Sequence, residues 1–214
     1  RVLFATYMGD QRLPIAFVFI LIACIDMDLR HRLVRRGFLT VLVALLLVRV
    51  IEVDTAWASL STSTSEFRAS IKRVKPGSRV LVAYAKADAG DTVDDYALVH
   101  LACQAIIERS ALVTTAFTVK GKQILHVRPE YRSIVDTEDG TPPSTPRLLL
   151  SADGPGPNGP RYWDEWPEHY DYVYLLFTES DADNPDPEHM TLVQDGTNFQ
   201  LYRINKPGQA SLAH

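Results

Sequence analysis

Cysteine is nearly absent. The 214 residues hold two, Cys24 inside an apolar run and Cys103 inside a helical pattern, which excludes a disulfide framework and a thiolate metal cage. An excess of basic residues is also missing. With 22 Lys and Arg against 26 Asp and Glu, the formal charge is −4, so the electrostatic footprint of a nucleic-acid binder is lacking and no nucleic-acid partner is expected. Internal repeats and heptads are absent. The balance of 46% hydrophobic and 22% charged residues excludes collagenous, low-complexity and wholly disordered chains. A mean hydropathy of −0.05 averages over two very different regions.

The first region is apolar. Residues 13–25 (LPIAFVFILIACI) and 37–48 (GFLTVLVALLLV) carry no charge, and the second run continues past Arg49 to Val53. Neither shows an amphipathic stripe, and a helix apolar on all sides belongs in a large core or in lipid. Each run is shorter than the roughly 20 residues of a comfortable span. Even so, a domain of this size has little core in which to enclose two such helices, and transmembrane helices are predicted at about 13–27 and 37–53. Pro14 falls near the start of the first, where proline is tolerated. Arg49 lies close enough to an end to snorkel. Between the runs, Arg30, Arg32, Arg35 and Arg36 outnumber Asp26 and Asp28. The positive-inside rule makes that loop cytoplasmic and everything after residue 53 extracytoplasmic. The competing expectation is a water-soluble α/β protein that packs its first 53 residues inside. The chain opens at Arg1 in an apolar segment without a signal-peptide layout, from which we expect a fragment of a longer protein.

The second region has the composition of a water-soluble domain. Trp57, Leu60, Phe67, Ile71 and Val74 recur at near-helical spacing, predicting a connecting helix over 54–76 that stops at Pro76-Gly77. The run RVLVAY at 79–84 predicts a strand, followed by a polar turn and a helix over about 92–110 with acidic residues at its start. Residues 112–119 and 123–127 read as two strands in a hairpin. A loop rich in proline and glycine then runs from 128 to 160, long enough to serve as a lid. A short helix or turn is predicted at 162–170, a buried strand at 171–178, and a hairpin of 190–194 with 198–204 joined by Asp195-Gly196. Residues 206–214 read as a tail. The expected fold is α/β of the α+β kind, with two N-terminal transmembrane helices followed by a small mixed-sheet α/β extracytoplasmic domain at 77–205.

Chemistry-bearing patterns are sparse. The loop KADAGDTVDD at 86–95 has one glycine and four aspartates, so it matches neither the dinucleotide nor the P-loop fingerprint. Its acids occupy the place an anion would take at a helix start. Asp181, Asp183, Asn184, Asp186 and Glu188 crowd oxygen atoms into one loop, but Pro185 and Pro187 and a missing glycine break the calcium-loop spacing. A solvated acidic turn is expected there. His100, His126, His169 and His189 are scattered without zinc spacing, and His100 is expected at the edge of the core. No metal and no cofactor are expected, and no catalytic residue is identifiable. Tyr162, Trp163, Trp166, Tyr170 and Tyr172 stand among Asp164, Glu165, Glu168 and Asp171. Aromatic faces beside carboxylates suit a sugar ring, which makes Trp163, Trp166, Asp164 and Glu165 the candidate ligand contacts. The same rings also suit packing on the sheet or anchoring at a membrane interface.

The opening DQRLP, the second helix leading to Trp57, PGSRVLV, the helix with HLA, YWDEWPEHYDYVYLL and the closing NFQLYRI together give a layout that resembles the C-terminal region of bacterial polytopic membrane proteins related to the GT-C glycosyltransferases, which use polyprenyl-phosphate sugars. The resemblance spans most of the chain and rests on layout and short phrases, without a catalytic signature. It implies an inner-membrane location, a periplasmic domain accessory to cell-envelope polysaccharide or lipid glycosylation, and membrane lipid, lipid-linked sugar or a glycan acceptor as partners of the whole protein. The family's catalytic acid lies in an early extracytoplasmic loop that has no counterpart here. The alternative from another class is a non-enzymatic, membrane-anchored binding or scaffold domain.

Overall fold

The computed structural model describes residues 2–3, 6–7, 9–25, 30–85, 96–116, 118, 123–135, 142–155 and 160–206. They divide into two units, Arg1–Thr55 and Ala56–His214.

In the first unit, β1 (Val2–Leu3) and β2 (Thr6–Tyr7) form a small antiparallel pair, followed by α1 (Gly9–Cys24). The long helix α2 (Arg32–Ile71) begins here, and the division between the units falls inside it. The residues from Leu13 to Ile25 and from Arg30 to Ala58 are exposed. Phe19 is 68% exposed, Leu45 64% and Ile51 62%. Within this unit, the described residues form no core cluster of their own. The two expected transmembrane helices find no support in the helix lengths. Among the described residues, no helix is long and apolar enough to cross a membrane. The 16 residues of α1 reach about 24 Å at the helical rise, against a hydrocarbon layer of about 30 Å. In α2 the apolar stretch meets Arg49 and Glu52, paired at 3.0 Å.

The second unit is built on a five-stranded sheet in the order β4-β3-β5-β7-β6. Its strands are β3 (Arg79–Tyr84), β4 (Leu112–Val113), β5 (Tyr172–Leu176), β6 (Met190–Asp195) and β7 (Phe199–Ile204). β3 runs parallel to both β4 and β5, while β7 is antiparallel to β5 and to β6. The two-residue period of a strand sends alternate side chains to opposite faces. Val80, Val82, Tyr174, Leu176, Phe199 and Leu201 form one core with Phe67 and Ile71 of α2 and with Leu98, Ala102 and Ala105. Leu81, Ala83, Val173, Leu175 and Tyr202 form the other with Ile134, Leu148, Trp163, Trp166 and Tyr170. A sheet covered on both faces explains why β5 is buried at every position and reads as one apolar run. The fold is therefore mixed α/β, with helices over both faces of the sheet.

Several predicted elements change shape. The second apolar run and the first part of the connecting helix are one 40-residue helix, which ends at Ile71 rather than Pro76. The guanidinium of Arg109 holds that end, donating to the carbonyls of Ile71 and Lys72. The helix predicted over 92–110 is broken into α3 (Tyr96–Val99), a 3₁₀ turn at Leu101–Cys103 and α4 (Gln104–Arg109), with 92–95 outside the described residues. His100 between the pieces is exposed rather than at the core edge. The strand predicted over 112–119 stops at Val113, because the Thr114 hydroxyl takes the Val82 N–H at 3.0 Å that a continuing ladder would use. No strand forms over 123–127, where Ile124 is 97% exposed, so the predicted hairpin is not found. The loop 128–160 is not structureless. It contains a 3₁₀ segment (Pro129–Ile134) and α5 (Thr145–Leu149), and Ile134, Val135 and Leu148 are buried. Its parts at 136–141 and 156–159, and the tail at 207–214, lie outside the described residues.

The β6–β7 hairpin forms as predicted, with a register shift between Leu192 and Gln194. In its turn the Gly196 N–H donates to the Phe199 carbonyl at 2.9 Å. A β-carbon at Gly196 would run into the Phe199 ring, well inside contact distance. That ring cannot swing aside, because it lies 4.6 Å from the Phe67 ring centroid within the core. Gly196→Ala is expected to cost about 1–3 kcal/mol as an overpacking change, read as a lower urea midpoint at unchanged slope.

Three buried tyrosines satisfy their hydroxyls inside the unit, two of them between elements and one within β7. Tyr174 shares a hydrogen bond with Ser70 of α2 at 2.7 Å. Tyr170 donates to the carbonyls of Ile134 and Tyr162 at 2.7 Å, and Tyr202 donates to the Gln200 side-chain oxygen at 2.8 Å. Burial pushes all three phenols up, with Tyr202 raised to about 12 by burial and the nearby Asp195 charge. A raised phenol stabilises the fold fully below its unfolded value of about 10, and that contribution is lost as pH rises through the folded value. Alkaline titration should therefore show these tyrosines ionising together with loss of near-ultraviolet circular dichroism, not ahead of it. Free titration before the structure melts would overturn the assignment.

Candidate functional site

The strand order places β4 on one side of β3 and β5 on the other, so the connections that follow β3 and β5 separate at the carboxyl ends of those strands. In open α/β sheets this is where ligands bind. A crevice of about 260 Å³ lies there, lined by residues that include Ala85 beyond β3, Leu175 of β5, Phe177, Thr178 and Glu179 beyond it, and Gln200 of β7. Thr145, at the start of α5, closes one side by donating its hydroxyl proton to the Tyr84 carbonyl at 3.0 Å. The Tyr84 N–H in turn donates to the Pro143 carbonyl at 2.9 Å.

Phe177 has a left-handed backbone, with φ at 62°. For a bulky residue this costs about 1–2 kcal/mol, and such strain gathers at functional sites when the surroundings hold it in place. Here it is held by the N–H of Phe177 on the Asn198 carbonyl at 2.8 Å and by its ring edge-on to Tyr84 at 5.2 Å. Next to it, Thr178 is 8% exposed, and its hydroxyl oxygen is buried without a hydrogen-bond partner. The Gln200 side chain donates to the Ala182 carbonyl at 2.7 Å and accepts from Tyr202. Asp183 and Pro185 also border the crevice.

The four residues predicted as ligand contacts, consecutive in the chain at 163–166, divide between the core and a cleft. Trp166, at the start of α6 (Trp166–His169), is fully buried, and Trp163 is 9% exposed. Both belong to the second core, and Trp166 meets His189 edge-on at 5.9 Å. Their rings are spent on packing, which leaves no open face on Trp166 for a sugar. Asp164 and Glu165 instead border a separate cleft of about 260 Å³ with Tyr162 and His169. Asp164 accepts the Arg161 N–H at 2.7 Å, while its other oxygen is buried without a partner. Glu165 adopts φ 52° to start α6 and stands 3.9 Å from the His169 ring.

A third cleft, of about 300 Å³, opens at the opposite ends of the strands beside Lys75, Asp171, Arg203 and Lys206. Its charges serve the fold. Asp171 accepts the Arg79 backbone N–H at 2.8 Å, and the Lys206 ammonium donates to the Pro167 and Glu168 carbonyls. Burial lowers the Lys206 ammonium despite the Asp171 charge beside it.

The acidic loop caps itself. Asn184 accepts from the Asp186 N–H and donates to the Met190 carbonyl, and the His189 ring lies 2.9 Å from the Asp186 carboxylate. Among the described residues, no group of three His, Cys, Asp or Glu side chains is gathered to hold a metal ion. The loop at 86–95 lies outside the described residues. Sequence reasoning did not single out Phe177 or Thr178. A strand order is invisible in one sequence, and a positive φ at phenylalanine leaves no compositional trace. No family model, curated protein or solved structure matches this chain.

Proposed function

We propose that this chain is a membrane-anchored extracytoplasmic binding module that engages a small ligand at the β3–β5 crevice and is accessory to envelope glycosylation rather than catalytic by itself. The carrying observation is that, among the described residues, 13–24 of α1 and the first half of α2 are exposed on all sides. Contiguous apolar patches larger than a few hundred Å² are rare on soluble monomers and mark membrane or protein contact. Short helices can be accommodated in lipid by local thinning and by snorkelling of flanking residues. Arg32, Arg35 and Arg36 at the start of α2 and Arg49 further along are placed to do so. Their excess at one end supports an inside position for that end and an outside position for the α/β domain. The accessory role follows the resemblance to GT-C glycosyltransferases, whose lipid-linked donor is also a membrane component.

The test is membrane fractionation of a C-terminally tagged full-length protein in a bacterial host. Retention through a carbonate wash, with the tag cleaved only by external protease, is the expected result. Release into the soluble fraction would remove the membrane anchor from the proposal. Cleavage from the cytoplasmic side would reverse the orientation.

A further inference from the structure

The anchoring reading covers the exposed helices with lipid without saying which lipid, and the inference that follows rests on that reading. The first turns of α2 hold Arg32, Arg35 and Arg36, three and four residues apart, so one face of the helix gathers the three guanidinium groups. All three are exposed, and none forms an ion pair among the described residues. The helix has no Asp or Glu before Glu52. At the far end of the apolar stretch the balance is different. There Glu52 answers Arg49 at 3.0 Å and Asp54 follows, which leaves no positive excess.

Beyond the arginines the same face continues as Leu39, Val43 and Leu46, again spaced three and four residues apart and all exposed. From Arg36 to Leu46 the helix rises about 15 Å, which is about the depth of one leaflet in a hydrocarbon layer about 30 Å thick. We propose that this face of α2 seats an anionic phospholipid, its phosphate on the three arginines and its acyl chains along Leu39, Val43 and Leu46. A guanidinium meets a phosphate through two parallel hydrogen bonds, and basic residues at a bilayer surface draw anionic headgroups. A free phosphate would use the arginines and leave the apolar part of the face bare, so a lipid is the occupant that matches its whole length. The difference in charge between the two ends confines the preference to the leaflet on the Arg32 side.

The test reconstitutes the full chain into phosphatidylcholine vesicles with trace spin-labelled phosphatidylglycerol or phosphatidylcholine, and reads the motionally restricted fraction of each label by electron paramagnetic resonance. A preference for phosphatidylglycerol of about threefold or more is the expected result. It should shrink by about half or more when salt rises from about 0.1 M to about 1 M, which shortens the screening length from about 10 Å to about 3 Å. Arg32→Gln, Arg35→Gln and Arg36→Gln combined should bring the two lipids to parity. Arg73→Gln, exposed in the α/β unit, should not. Because both lipids are compared on the same protein, a variant that reconstitutes poorly still reports the ratio. A preference that survives the triple change would overturn the inference. So would its loss to excess inorganic phosphate at constant ionic strength, which would assign the arginines to a free anion. A chain that restricts both lipids equally keeps the anchor and loses this inference, while one that restricts neither lies outside the bilayer and loses both.

Discussion

Trp166→Ala is expected to destabilise the α/β unit by about 3–5 kcal/mol, the range for removing a large buried aromatic. The indole is fully buried against the second face of the sheet, and alanine would leave a cavity between α6 and β5. Domains are stable by only about 5–15 kcal/mol, so the loss approaches the whole margin. Urea unfolding followed by tryptophan fluorescence and far-ultraviolet circular dichroism should show a midpoint shift far larger than for Glu165→Gln, whose side chain is about half exposed. In cells, abundance should fall together with any activity of the full protein. Normal abundance and unchanged unfolding, accompanied by loss of glycan contact, would return Trp166 to the ligand site that its sequence context suggests.

The second large effect concerns α2. Val43 and Leu46 are 52% and 62% exposed in the middle of its apolar stretch. An aspartate near the centre of a lipid-embedded helix costs about 2.5–3.5 kcal/mol. Under the proposed anchoring, the double change Val43→Asp and Leu46→Asp should therefore move the protein out of carbonate-washed membranes. Ser61→Asp, on the same helix but within the α/β unit, should leave it there. Since the substituted side chains contribute to neither core, the thermal transition of the α/β unit should be unchanged in both variants. Membrane retention of the double variant would show that the exposed apolar surface is covered by something other than lipid.

These expectations also show which physical signals survive in a single sequence. β5 was legible because a strand covered on both faces must be apolar throughout, and DYVYLLFT is. The β6–β7 hairpin was legible because Asp195-Gly196 supplies a turn between two apolar runs. LVTTAFTV misled because β-propensity cannot register that the Thr114 hydroxyl occupies the N–H of Val82 and ends the pairing. An unbroken apolar run found the first part of α2 and helical spacing the second, but neither found their continuity, since a change from apolar to amphipathic surface looks the same as a boundary. At the candidate site, Trp163, Asp164, Glu165 and Trp166 are neighbours by chain connectivity alone, and composition marked them as aromatic beside acidic. It could not tell which ring faces remain open, because that is decided by what Leu148, Ile134 and Tyr202 do from distant parts of the chain. The switch-point crevice depends on β4 and β5 flanking β3, a long-range choice that no local pattern records.

The two borders of the sheet have a bearing on crowding. On one side β4 offers only two residues of ladder, and on the other β6 is bent by the irregularity at Leu192 and Gln194. Short borders and bulged borders are poor templates for an added strand. Copies at high concentration would thus zip poorly into a continuous sheet, which leaves side-chain surfaces as the better route to self-association. Straightening β6 by deleting Val193 would remove that protection and turn dense expression into a route to β-aggregates.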